Sequence, residues 1–327
     1  MKKWQLVLLG ILILLAVVIA VNFSLVRILC CNMFAPKIKM DESTAWAGGV
    51  SEHLLYGESE SQYVDLYVPD GTEQPPLFVL VHGGGFVAND AHSRQAQFMY
   101  RYFRDHGFAC ATVNYRLAGE APFPAACEDV HAAVVLLAEK AEQYGYNADR
   151  IAIWGESAGS YLATREALTE TDANIAALVS YYGCYDFLAA EGQFINQGFP
   201  GIPKWIRKIA NNWLSGTCGG YSAPEEYWLR KEFAEWTVED IEAASVQYIA
   251  EKEAANPELK VYIIHGLADI TVPYAQSVNL AEALRQRYGE ENVTFRLVDG
   301  FIHADDRLYT DEQLQEVAQF IEKALAQ

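Results

Sequence analysis

The sequence predicts an α/β fold built on a mostly parallel, twisted sheet flanked by helices, and three observations predict it. Short apolar runs recur at residues 77–81, 108–114, 151–154, 176–180, 261–265 and 293–298. Longer stretches of helical spacing lie between them, such as Ala126, Val130, Val134, Leu137 and Ala141. Strands in alternation with helices imply crossover connections, hence parallel pairing. Most of the runs are apolar throughout, as expected of strands covered on both faces. The chain has 327 residues, 51% of them hydrophobic, enough for one large domain plus an insertion.

The first element is an uncharged run from Trp4 to Val26, almost wholly aliphatic over residues 6–21. As a helix it would reach about 35 Å, roughly the hydrocarbon thickness of a bilayer. Lys2 and Lys3 precede it and Arg27 follows. A cleaved signal peptide has a shorter apolar core and a small-x-small cleavage site, so the run reads as an uncleaved signal anchor in preference to a removed leader or a core helix. Ile28-Leu29-Cys30 is a poor lipoprotein signal, and Cys30 and Cys31 read as ordinary interfacial residues. The nearest charges place the N-terminus inside and the rest of the chain outside the cytoplasm. Residues 1–40 thus form an anchor and juxtamembrane segment, and residues 41–327 one domain held off the membrane by the stretch 30–50.

Within that domain, residues 62–69 alternate apolar and polar and read as an edge strand. The buried run 77–81 ends in His82-Gly83-Gly84-Gly85-Phe86, a loop whose glycines let backbone amides approach a substrate oxygen. Gly84 and Gly85 are the expected N–H donors, with His82 holding the loop. Cys110 lies in the next run and is expected in the core. The run 151–154 feeds into Gly155-Glu156-Ser157-Ala158-Gly159, and a helix-forming segment leaves it. A strand-turn-helix corner strains its central residue and pushes the serine hydroxyl above the sheet edge, while Ala158 starts the helix with an unpaired N–H.

Residues 176–180 form a further strand, after which residues 185–242 break the regular alternation. The run 261–265 leads to Gly266-Leu267-Ala268-Asp269, a carboxylate beyond the strand's C-terminal end, where open α/β sheets gather functional groups. The run 293–298 leads to Gly300-Phe301-Ile302-His303, with Asp299, Asp305 and Asp306 as rival carboxylates close by. The last helix is expected within residues 310–325.

Glycine loop, serine, acid and histidine follow in the order that acyl transfer on an α/β sheet requires. His303 would take the Ser157 proton as the oxygen attacks an ester carbonyl, and Asp269 would hold the imidazole tautomer. Gly84, Gly85 and Ala158 would hold the oxyanion. The constellation resembles the α/β-hydrolase superfamily, in its hormone-sensitive-lipase-like and related bacterial carboxylesterase (feruloyl-esterase-like) branch with a His-Gly-Gly-Gly loop. The resemblance covers roughly residues 50–325 and extends to Asn114-Tyr115-Arg116-Leu117 and residues 121–129; Gly119 stands where relatives often carry proline. It implies a serine carboxylesterase acting on small or medium acyl or aryl esters, carbohydrate esters among them, and a cap over residues 185–242. That stretch holds Trp205, Trp213, Trp228 and Trp236 of seven tryptophans, read mainly as the insertion's own small core. An amidase or peptidase using the same triad, and a catalytically silent binding module, stay open.

No C-x-x-C pair or H-E-x-x-H helix points to a metal, and no cofactor is expected. Residues 1–40 carry five basic and no acidic side chains, so the remaining 19 basic and 43 acidic ones leave −24 on the domain. Such a surface repels nucleic acid and anionic lipid. The expected partners are a small-molecule ester and, through the N-terminal helix, a membrane. Cys184 and Cys218 could pair across the insertion; the spacing leaves this and the oligomeric state open.

Overall fold

The computed structural model describes residues 27, 30–38, 51–169, 173–187, 189 and 223–326. The predicted anchor at 4–26, most of the stretch 185–222 and Cys218 lie outside them. Among the described residues no helix is long and apolar enough to cross a membrane.

The strands are β1 (Glu52–Leu55), β2 (Tyr63–Tyr67), β3 (Pro76–Val81), β4 (Ala109–Val113), β5 (Asn147–Glu156), β6 (Ile175–Tyr181), β7 (Lys260–Gly266) and β8 (Val293–Val298). They form one sheet in the order β1-β2-β4-β3-β5-β6-β7-β8. The β1–β2 and β2–β4 pairs are antiparallel and the other pairs parallel. The helices are α1 (Arg94–Asp105), α2 (Ala125–Tyr144), α3 (Ala158–Leu168), α4 (Pro224–Leu229), α5 (Val238–Ala244), α6 (Val246–Lys252), α7 (Ala275–Tyr288) and α8 (Asp311–Leu325).

Period-two alternation sends successive side chains of β3 into two separate cores. Leu77, Val79 and Val81 meet Val130, Val134, Tyr161, Leu162, Ile249 and Leu280 from α2, α3, α6 and α7. Phe78 and Leu80 meet Phe98, Phe103, Leu314 and Ile321 from α1 and α8. Each such side chain, wholly buried, contributes on the order of 1.5–3 kcal/mol relative to exposure, so the frame is rigid where the strands end. Ser93 starts α1 by accepting the Ala96 N–H at 3.2 Å, and Gly145 ends α2 at φ 78°.

Residues 62–69 differ from the edge strand expected of them. β2 lies one strand in, because Glu52–Leu55 pairs outside it. The polar residue that suggested an exposed face, Asp65, is buried and satisfied by His53 Nδ1 at 2.6 Å and His92 Nε2 at 2.7 Å. Residues 30–38 lie against the domain: Asn32 Nδ2 donates to Ala268 O at 2.8 Å and the Ile38 N–H to Asp306 Oδ2 at 2.8 Å.

Candidate active site

The chain runs from β3 to β4 on one side of the sheet, then returns to place β5 on the other side of β3. That reversal opens a crevice at the C-terminal ends of β3 and β5, the usual ligand position in an open α/β sheet. The glycine loop leaves β3 there, and Ser157 follows β5.

Ser157 has φ 51° and ψ −119°, a sparsely populated conformation for a residue with a side chain. The turn is over-determined by its neighbours: the Ser157 N–H bonds Tyr181 O at 2.9 Å, and α3 begins at Ala158. Gly159 allows it, because a Cβ there would lie 2.2 Å from Val81 O and 2.4 Å from His82 O. Helix and strand can approach this closely only without that side chain.

Ser157, His303 and Asp269 meet in one hydrogen-bonded chain. His303 Nε2 lies 3.1 Å from Ser157 Oγ, and His303 Nδ1 lies 2.7 Å from Asp269 Oδ2. A carboxylate only accepts, so Nδ1 carries the proton and the Nε2 lone pair faces the serine hydroxyl. β7 and β8 are paired neighbours, with Gly266 opposite Val298, which brings the acid and histidine loops together. The rival carboxylates are engaged elsewhere. Asp305 binds Arg307 and the Ile302 N–H, Asp306 binds Arg94 and the Ile38 N–H, and exposed Asp299 pairs with Arg27.

Burial alone would raise the Asp269 carboxyl pKa. The adjacent His303 and hydrogen bonds from His265 and His303 win and hold it well below the ordinary carboxylate range. Its other oxygen, Oδ1, accepts the Thr271 and Val272 N–H groups at 2.7 and 2.8 Å. For His303, burial lowers the pKa, but the Asp269 charge and hydrogen bond, together with the Glu156 charge, raise it above its ordinary value.

In the glycine loop, Gly84 has φ 119° and its carbonyl accepts the Val87 and Ala88 N–H groups, both at 3.1 Å. Among the described residues no acceptor meets the N–H of Gly84, Gly85 or Ala158. His82 braces the loop through Nδ1, 2.7 Å from Gly83 O, and stacks on Tyr115 with ring centroids 4.2 Å apart. Burial pushes its pKa down to about 4, which keeps the ring neutral at ordinary pH.

Three supporting residues escaped the sequence reading. His265, an apparently ordinary strand residue, is wholly buried with Nε2 3.1 Å from both Asp269 Oδ2 and Val272 O. Two acceptors at one nitrogen fix the proton there, and Ser277 Oγ meets Nδ1 at 2.8 Å. Its i to i+4 spacing from Asp269 was the one available signal. Glu156, beside the serine, is buried; burial pushes its carboxyl above the usual range, opposed by hydrogen bonds from Tyr182 OH at 2.7 Å and the Gly83 N–H at 3.4 Å. Tyr182 packs edge-on against the His303 ring, centroids 4.9 Å apart.

Trp228 corrects the reading of the insertion's aromatics as a core of their own. It is wholly buried in the main core, stacked on Phe86 with centroids 4.0 Å apart and edge-on to Tyr161 and Phe123. Phe86 closes the glycine loop, and Pro224, at the start of α4, lies 3.4 Å from where a Gly85 Cβ would be. The described part of the insertion thus bears directly on the loop.

Sheet, crevice and relay define an α/β hydrolase. The BD-FAE family profile matches residues 64–284, more than half of the chain. The chain belongs to the BD-FAE family. The acetyl esterase of Salmonella paratyphi B is 34% identical over 127 residues, 37% of this chain and 38% of the relative. The chain therefore spans 38% of the length of the curated relatives it matches. A truncated carbohydrate esterase from gut microbiota superposes with a TM-score of 0.65 at 21% identity, over 84% of this chain and 95% of that one. The butyrate-bound esterase Est2 of Thermogutta terrifontis gives a TM-score of 0.62 at 16% identity, over 84% and 94%. At these identities the structural likeness speaks to fold.

Proposed function

We propose that this protein is a membrane-tethered serine carboxylesterase for short acyl esters. The observation that carries the reading is the relay from Ser157 Oγ through His303 to buried Asp269, at 3.1 and 2.7 Å. His303 accepts the hydroxyl proton as Ser157 attacks the ester carbonyl, and Asp269 stabilises the imidazolium. The N–H groups of Gly84, Gly85 and Ala158 hold the oxyanion in a crevice where such donors act with little competition from water. His303 then protonates the leaving alcohol. Water, activated by the same imidazole, releases the acid from the acyl-enzyme.

Short acyl groups are favoured by the acetyl esterase relatives, and an alcohol on a carbohydrate by the carbohydrate esterase neighbour. A cap is assigned to residues 185–242, and within its described part α4 lies against the oxyanion loop through Pro224. The uncharged run 4–26, preceded by Lys2 and Lys3, anchors the chain with the catalytic domain outside the cytoplasm. Turnover of 4-nitrophenyl acetate by the full chain in detergent, beside Ser157→Ala, tests the chemistry. The wild type hydrolyses the ester and the variant falls by about 10³-fold or more; equal rates refute a serine nucleophile.

A further inference from the structure

The segment that follows the uncharged run does not stand clear of the domain. It lies across the loops that carry the acid and the histidine. Arg27, one residue beyond that run, pairs with Asp299. Cys31 Sγ sits over Gly300, 3.7 Å from where a Cβ would be. Asn32 donates to the carbonyl of Ala268, the residue before Asp269. Further along, Ile38 donates its N–H to Asp306, and its carbonyl accepts from Arg94 at 2.5 Å. Three contacts, from Arg27, Cys31 and Asn32, therefore fasten the exit of the run to the loops that follow β7 and β8, and two more at Ile38 tie it to Asp306 and Arg94. Asp299 precedes His303 by four residues, at most roughly 14 Å along an extended chain.

At this same rim the surface is apolar. Met33 and Phe34, between the Asn32 and Ile38 contacts, are 73% and 76% exposed, the most exposed large apolar side chains among the described residues. Ile270, next to Asp269, adds a third at 41%. Met33 and Phe34 follow Asn32, which holds the Ala268 carbonyl two residues before Ile270, and exposed apolar side chains on both segments joined by that hydrogen bond mark an interaction surface.

We propose that Met33, Phe34 and Ile270 dock the catalytic rim onto the bilayer that holds the anchor, so that the site takes acyl esters whose alcohol portion resides in the membrane. This rests on the reading of the chain as a tethered esterase. A bilayer is the occupant because no slack chain separates the run's end at Val26 from Arg27 on the rim. A domain so fastened cannot turn this face away from the membrane. The −24 charge of residues 41–327 selects a neutral surface over an anionic one. The expectation that residues 30–50 hold the domain off the membrane is replaced, for residues 30–38, by a strap that draws its catalytic edge down.

The test uses the full chain in phosphatidylcholine vesicles and two aryl acetates with the same acyl group. One, 4-hexadecyloxyphenyl acetate, resides in the bilayer; the other, 4-nitrophenyl acetate, is dissolved. Two variants are compared with wild type: Met33→Ser/Phe34→Ser, and a twenty-residue glycine-serine insertion between Val26 and Arg27. Each should lower turnover of the bilayer ester at least five-fold relative to the dissolved ester. A ratio unchanged within two-fold in both variants overturns docking and turns the patch over to a protein partner. Amide hydrogen exchange of residues 30–38 and 268–272 gives a second readout. Exchange should be slower in vesicles for wild type than for the insertion variant; equal exchange also overturns docking. Absence of turnover of either ester with that protection intact would refute the esterase reading and leave docking standing. A chain that fails to float with vesicles would overturn both tether and docking.

Discussion

Replacing Asp269 with asparagine probes the relay most sharply, because the surrounding donors dictate which way the amide turns. Asp269 Oδ1 accepts two backbone N–H groups, from Thr271 and Val272, at 2.7 and 2.8 Å. In Asp269→Asn the amide oxygen must stay with them, since leaving buried donors unmet costs about 1–3 kcal/mol each. The NH₂ then faces His303 Nδ1, which in the native protein lies 2.7 Å from Oδ2. Two donors cannot share that contact, so the imidazole proton moves to Nε2, opposite Ser157 Oγ. A ring protonated there cannot accept the serine proton. The expected loss is about 10⁴-fold in kcat with KM little changed, equivalent to about 5.5 kcal/mol of barrier. The assay is steady-state hydrolysis of 4-nitrophenyl acetate, with near-ultraviolet circular dichroism confirming the fold. Activity within ten-fold of wild type would refute both the tautomer argument and the place of Asp269 in the relay.

Three further outcomes follow from the same geometry. The His303 pKa lies above its ordinary value, because Asp269 and Glu156 outweigh burial, and the base must be neutral; kcat/KM should therefore climb with pH through a midpoint above about 6.5. A pH profile flat across pH 5–8, or with its midpoint lower, contradicts this. Gly159→Ala would set a methyl 2.2 Å from Val81 O and 2.4 Å from His82 O, so urea unfolding should show a loss of about 1–3 kcal/mol, and an unchanged midpoint would mean the corner relaxes freely. Trp228→Ala empties a wholly buried site stacked on Phe86; it should cost about 3–5 kcal/mol in the same measurement and lower kcat through the loosened glycine loop, whereas full activity would disconnect α4 from the site.

Much of the site was legible because its parts are local. A glycine at each side of Ser157 and three after His82 are demanded by backbone strain and close approach, which a five-residue window records. The ends of buried strands are equally local, so Asp269 and His303 could be placed in loops after apolar runs. Asp65, by contrast, sent β2 to the sheet edge, since nothing nearby in sequence announces that His53 and His92 will pair with a buried carboxylate.

By itself, then, the sequence determined the α/β alternation, the strained serine corner and the order of the reacting groups, all set by period, glycine and strand end. Only the tertiary structure decided that His265 and two backbone amides orient the acid, that Glu156 and Tyr182 support the loop and the histidine, that Trp228 belongs to the main core, and that residues 30–38 strap the rim. Each of these depends on packing and hydrogen bonds between segments distant in the chain or on the direction a buried polar group faces. Such contacts leave no periodic trace, because burial is shared among partners that only folding brings together.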